Sequence, residues 1–195
     1  MANTATAGLP ALSSPDSASP ESAKPLQRSI SEPHKNSQNK EFTLAAIDIG
    51  TNSLHMVVVK IDATLPAFQI IGKEKDTVRL GDFCEATGDL TEEAMQRAVD
   101  SLKRCTQIAR SLEADDIVAV ATSATREAGN GHVFIERVKQ EVGLSINLIA
   151  GEEEARRIYL GVISGMELKG KPHAIIDIGG GSTEIILGRG GTHDF

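Results

Sequence analysis

One short pattern occurs twice in this chain. Ile47-Asp48-Ile49-Gly50-Thr51-Asn52-Ser53 lines up with Ile176-Asp177-Ile178-Gly179-Gly180-Gly181-Ser182. Each copy runs apolar–Asp–apolar–Gly, then two small or polar residues, then Ser, and each lies between apolar segments. Glycine permits a turn with positive φ and lets a ligand approach the backbone closely. Successive N–H groups in such a turn form an anion nest. Asn52, Ser53, Ser182 and Thr183 add amide and hydroxyl hydrogen bonds for phosphate oxygens. Asp48 and Asp177, at strand ends, can hold Mg²⁺ directly or through water where phosphate charges gather. Either copy alone reads equally well as a hairpin turn whose Asp bonds its own backbone. The shared Asp-to-Ser offset favours two related lobes that grip one phosphate chain from both sides of a cleft.

The rest of the chain supplies a scaffold for such a pair. Residues 1 to about 40 contain five of the seven prolines and eight serines but no aromatic residue. Such a segment buries too little apolar area to offset its ordering entropy, so 1–41 reads as a disordered tail. Folded sequence begins near Phe42. Strands are expected at 42–49, 53–62 and 68–80, joined as an antiparallel meander. A helix over 92–112 follows, with Thr91 as N-cap, Glu92 and Glu93 at its positive end, and an apolar stripe from Met95 to Leu112. Cys105 lies on that stripe as core filler. A strand at 117–121, a helix at 131–142, a strand at 145–149 and a helix opening near Glu152 come next. The last helix carries Ala155, Ile158, Tyr159 and Val162 on one face. Strands at 173–178 and 183–188 complete an α/β pattern.

Two further segments carry candidate chemistry. Gly151-Glu152-Glu153-Glu154-Ala155-Arg156-Arg157 opens a helix. Three glutamates in a first turn stabilise the helix dipole, and on the residues alone that structural reading is favoured. The functional alternative points one Glu into the cleft as a general base for in-line attack of water on phosphorus. Thr122-Ser123-Ala124-Thr125-Arg126-Glu127 reads as a hydroxyl-rich loop at a strand's carboxyl end, where open α/β sheets bind ligands. Arg126 either clamps phosphate oxygens or pairs with Glu127 or another surface carboxylate. Glu184 either aids metal binding and steers the water or faces outward from its strand. His55, His132 and His173 share no metal-ligand spacing. Lys73, Lys75 and Arg79 read as a solvated strand face able to extend a phosphate path.

Together, Asp48–Ser53, 121–126, 151–156 and 177–184 resemble the motifs of the exopolyphosphatase and guanosine pentaphosphate phosphatase (Ppx/GppA) family. The likeness covers about Phe42 to Arg189. It implies an actin-like, ribonuclease-H-like ATPase fold with two lobes. It also implies Mg²⁺-dependent release of orthophosphate from inorganic polyphosphate or guanosine pentaphosphate. In that family the last Glu of the Glu-Glu-Ala-Arg stretch, here Glu154, is the catalytic base. Asp48, Asp177 and Glu184 would surround the metal and the attacked phosphate, and Arg126 would bind phosphate. Asn52, Ser53, Gly180, Gly181, Ser182 and Thr183 would line the cradle. Family members continue beyond the second glycine loop. The expectation is therefore a first lobe at 42–150 and the opening of a second at 151–195, with the hairpin's apolar face left uncovered. A homodimer is implied for the full-length protein.

Composition narrows the alternatives. A net charge of −7 with no basic run argues against nucleic-acid binding. No apolar run reaches membrane-spanning length, and the start lacks a signal-peptide pattern. Two widely spaced cysteines, Cys84 and Cys105, fit a reducing, cytoplasmic setting. The rival functions are an actin-like-fold kinase or ATPase, which needs an adenosine pocket, and a non-catalytic sensor of polyphosphate or nucleotide.

Overall fold

The structure, a computed structural model, describes residues 41–65, 67–83, 86–168, 170–189 and 192–194. The expected tail and Cys84 lie outside the described residues, apart from Glu41, which opens the first strand. Strands β1 (Glu41–Ile49), β2 (Leu54–Asp62) and β3 (Phe68–Asp76) form the anticipated antiparallel meander. Helix α1 (Glu92–Ser111) leads to β4 (Asp116–Ala121), which pairs parallel to β1. Helices α2 (Ser123–Glu127) and α3 (Gly131–Val142) precede β5 (Ile146–Leu148), parallel to β4. The sheet order is β3-β2-β1-β4-β5, with β2 the antiparallel member, as a ribonuclease-H-like lobe requires.

The period-2 alternation of β1, β2 and β4 places Ala45, Ile47, Ile49, Leu54, Met56, Val58, Ala119 and Ala121 on one buried face. Against it lie Ala98, Val99, Leu102, Cys105 and Ala109 of α1 with Phe134 and Val138 of α3. Thr91 caps α1 by accepting a 3.2 Å hydrogen bond from the Ala94 amide, satisfying one of the orphan donors of its first turn. The core is almost wholly aliphatic, so close packing of small side chains against the sheet stabilises it.

Three local expectations need correction. Strand β3 ends at Asp76 rather than residue 80, although Val78 and Leu80 are buried. The backbone turns away because Arg79 is left-handed at φ 46, and its amide bonds the Asn52 carbonyl at 2.9 Å instead of extending a ladder. Residues 123–127 form the short helix α2 rather than a loop, with the Arg126 amide bonded to the Thr122 carbonyl at 3.0 Å. Strand β8 (Thr192–Asp194), paired to the strand at Thr183–Arg189, was unanticipated because three residues give no readable alternation.

Helix α4 (Gly151–Gly165) is followed by the hairpin β6 (His173–Ile178) and β7 (Thr183–Arg189), which with β8 makes a second sheet ordered β6-β7-β8. Ala155 and Tyr159 of α4 pack on Ile186, flanked by Ile158 and Ile175. Ile176, Ile178, Ile185 and Leu187, on the opposite side of the hairpin, are exposed. The expected open apolar face is therefore present.

Candidate active site

The sequence echo is also a geometric echo. In loop 50–53 the Gly50 amide donates to the Ser53 carbonyl at 3.1 Å, and in loop 179–182 the Gly179 amide donates to the Ser182 carbonyl at 3.0 Å. Asp48 is the register partner of His55 across β1 and β2, and Asp177 is the register partner of Glu184 across β6 and β7. Each loop thus carries a strand-end pair with an Asp on the incoming strand. The loop glycines 50, 179, 180 and 181 are absent from the positive-φ residues. This corrects the expectation of positive φ and leaves close approach as their reason. A Cβ on Gly180 would sit 2.7 Å from Asn52 Nδ2, and one on Gly181 would sit 2.5 Å from Thr51 Oγ1 and 2.8 Å from Ser123 Oγ. The two loops meet backbone against side chain.

Supports behind the first loop fix this meeting. The Gly81 amide donates to the Thr51 carbonyl at 2.9 Å, beside the Arg79–Asn52 bond. Arg97 of α1 holds that bracing segment, donating to the Val78 carbonyl at 2.9 Å and to Asp82 at 2.7 Å. Thr51 Oγ1 and Ser123 Oγ share a 2.9 Å hydrogen bond that ties the loop to α2.

Between the loops lies a cavity of about 430 Å³, lined by Asp48, Asn52, Ser53, Glu154, Asp177, Gly180, Ser182 and Glu184 together with Gly50, Thr51, His55, Thr122, Ser123, Ile178 and Gly179. The fold therefore brings together eight of the eleven expected site residues. The other three stand apart from the lining. Gly181 forms the contact with Thr51 and Ser123, Thr183 is exposed at the start of β7, and Arg126 donates to Glu154, a cavity residue, without itself lining the cavity. Thr51, Ser123 and His55 went unassigned at the sequence level. The matched offset of seven residues from Asp48 to His55 and from Asp177 to Glu184 was the signal that could have found His55.

The structure separates the three glutamates of α4. Glu152 is exposed and absent from the cavity wall. Glu153 is held by Arg156 at 2.6 Å and Arg157 at 2.7 Å, and these hydrogen bonds draw its carboxyl down to about 2. Glu154 faces the cavity. Burial pushes its carboxyl up from the ordinary value, and the hydrogen bond from Arg126 pulls it down. The charges of Glu184 and Asp48 push it up, and that of Arg126 opposes them. Asp48 opens to the cleft, but the cleft walls displace bulk water around it. That desolvation raises its carboxyl, His55 opposes the shift, and Asp177 adds to it. Four carboxylates grouped around one polar cavity are a costly arrangement without positive charge among them.

This donor set fits a hard cation such as Mg²⁺. Among the described residues no three His, Cys, Asp or Glu side chains form a ready-made cage. Mg²⁺ keeps several waters and is usually bound by one or two carboxylates plus substrate phosphates, which suits Asp48, Asp177 and Glu184 spread around the cavity. Neither Asp48 nor Asp177 bonds its own backbone among the described residues, so the simple-turn reading of the loops loses its support. Arg126 pairs with Glu154 at 3.1 Å rather than with Glu127. Among the described residues its hydrogen bonds use Nη1, to Glu154 and to the Ile149 carbonyl, and Nε and Nη2 remain as further donors.

A five-stranded ribonuclease-H-like lobe, a second hairpin sheet and two interlocked glycine loops around a carboxylate-rich cavity define an actin-like-fold protein. The model of the Ppx/GppA phosphatase family matches residues 57–194, and the chain belongs to that family. It is 42% identical over 147 residues to a guanosine-5'-triphosphate,3'-diphosphate pyrophosphatase of Vibrio atlanticus (strain LGP32), covering 75% of this chain and 29% of that protein. Among solved structures it resembles an exopolyphosphatase from Cytophaga hutchinsonii, with TM-score 0.74 and 34% identity, over 78% of this chain and 48% of that one. It also resembles the Aquifex aeolicus family member, with TM-score 0.68 and 33% identity, over 80% of this chain and 50% of that one. The chain thus spans about half of those solved chains and under a third of that curated relative.

Proposed function

We propose that this chain forms the catalytic cleft of a phosphoanhydride hydrolase that releases terminal orthophosphate from inorganic polyphosphate, guanosine pentaphosphate or both. The observation that carries this reading is the placement of Glu154 against Asp48 and Glu184 across one cavity between the matched loops. Glu154 accepts a proton from a water directed at the terminal phosphorus. Its raised proton affinity suits a general base, which works best with a pKa near the operating pH. The amides of the two loops, with Asn52, Ser53, Gly180, Gly181, Ser182 and Thr183, orient the phosphate chain. Arg126 holds Glu154 in place through Nη1 and offers its remaining donors to the departing phosphate. Mg²⁺, held by Asp48, Asp177 and Glu184, supplies charge neutralisation on the phosphate oxygens when bound. Phosphoryl transfer asks mostly for positioning and electrostatic stabilisation, so this set is sufficient. The reading includes a cytoplasmic setting and a homodimeric full-length protein.

The test is colorimetric orthophosphate release from polyphosphate and from guanosine pentaphosphate, each with Mg²⁺ and with EDTA, beside ATP offered with sugars. Mg²⁺-dependent release from either phosphate substrate is expected. ATP-dependent transfer to a sugar without such release would replace the hydrolase with a kinase.

A further inference from the structure

The cavity is short of positive charge for the ligand it is proposed to hold. Among its lining residues four side chains are carboxylates and His55 is the sole basic one. The whole chain carries −7. A phosphate polymer longer than the cavity must leave it, and its emerging part meets whatever charge stands at the rim.

The sheet register identifies that charge. Asp48, His55 and Lys75 are consecutive partners across β1, β2 and β3, so their side chains share one face of the sheet in a single row. Asp48 and His55 are cavity residues, and Lys75 is the next step outward. Lys73, two residues along the same strand, lies on the same face opposite Val57. Both lysines are exposed, and β3 is the edge strand. The alternation sorts charge by face. Asp76 pairs with Arg104 of α1 and Glu74 acts on Cys105, so the acidic residues of β3 turn toward the helix. Many other basic side chains are neutralised, as in Lys60–Glu41 at 2.6 Å, Lys103–Glu141 at 2.8 Å and Arg97–Asp82 at 2.7 Å. Lys73 and Lys75 form no ion pair among the described residues.

We infer that Lys75 and Lys73, continuing the row from His55, form a rail on the β3 edge that binds the distal part of a long phosphate chain leaving the cavity, and so set a preference for chain length. This rests on the polyphosphate reading of the cavity above. Compact lysines suit a moving, repeating polyanion, because a point charge imposes no bidentate geometry. A purely protective role for edge lysines is the competing explanation. It predicts altered aggregation on substitution and no selectivity for chain length.

The test measures calorimetric dissociation constants for long-chain polyphosphate and for tripolyphosphate, with Mg²⁺, alongside KM for orthophosphate release. The variants are Lys73→Glu/Lys75→Glu, the milder Lys73→Gln/Lys75→Gln, and the distant charge control Lys139→Glu. Circular dichroism confirms folding. The charge-reversal pair keeps the edge charged and is expected to weaken long-chain binding by about tenfold or more, with a flatter salt dependence. Tripolyphosphate binding changes far less, the Gln pair gives a smaller shift of the same kind, and Lys139→Glu shifts neither ligand. Equal loss for both chain lengths, or none, overturns the rail, as does a wild-type protein that does not bind long chains. If long chains bind through the lysines while no orthophosphate is released, the hydrolase reading fails and the rail stands. If release is normal and the lysine variants match wild type, the rail alone fails.

Discussion

Arg126 Nη1 lies 3.1 Å from Glu154 Oε2 and donates also to the Ile149 carbonyl at 2.9 Å, so one nitrogen ties the end of the first lobe to the first turn of α4. The pair holds the proposed base in place and moderates its proton affinity. A base must be ionised to act, so activity falls as pH drops through the Glu154 value, which burial has raised. Arg126 opposes that rise through its hydrogen bond and its charge. Arg126→Ala should therefore move the acid limb of the kcat/KM profile to higher pH. It should also lower kcat by about 10²–10³-fold, the usual loss on removing one transition-state donor. An acid limb that stays in place would separate Arg126 from Glu154.

The interlocked loops give a steric prediction. A Cβ at Gly181 would lie 2.5 Å from Thr51 Oγ1 and 2.8 Å from Ser123 Oγ, whereas one at Gly151 meets nothing within 4 Å. Gly181→Ala should cost about 1–3 kcal/mol in urea unfolding, as overpacking does, and should sharply reduce turnover by parting the loops. Gly151→Ala should leave both nearly unchanged. Thr51→Ser/Gly181→Ala relieves the Cγ2 contact at 3.2 Å and should recover part of the loss.

Cys105 provides a probe of the core. Its thiol is fully buried, and desolvation together with the charge of Glu74 pushes it up to about 11. Reaction needs the thiolate, so in a Cys84→Ser background Cys105 should react with a disulfide reagent at pH 8 only at the rate of local opening. Immediate stoichiometric labelling would contradict the packing of α1 on the sheet.

The open hairpin face predicts behaviour in solution. Ile176 and Ile185 are register partners and both are exposed. Ile176→Thr/Ile185→Thr should reduce dye binding to exposed apolar surface and slow aggregation, with the melting temperature little changed because neither side chain contributes to the small core around Tyr159. A large fall in melting temperature would place those side chains inside a packed interface.

Much of this architecture was readable from residue order. The stripe and cap of α1 gave its limits to within a residue, because Thr91, Glu92 and the three-to-four spacing all act locally. The duplicated loops marked two walls of the candidate cavity for the same reason. Other features depend on distant partners. Strand β3 was read too long because Val78 and Leu80 bury their side chains while their backbone serves the first loop. Which glutamate of α4 faces the cavity depended on how Arg126, Arg156 and Arg157 divide among them, and the residues alone left that open. His55 was given no role from the sequence, because its place beside Asp48 arises from strand register.

Glu154→Gln, assayed for binding and turnover on the same preparation, tests the central claim most directly. A raised carboxyl favours the protonated form in the folded state, so ionised Glu154 withdraws stability as pH rises from the ordinary value of 4.5 through its folded value. The neutral amide avoids this, and the variant should melt at or above the wild-type temperature at pH 7, with the gain vanishing in acid. Polyphosphate binding should persist while orthophosphate release falls by about 10²–10⁴-fold, the range for losing a general base. Release at the wild-type rate from a folded Glu154→Gln protein would contradict the account.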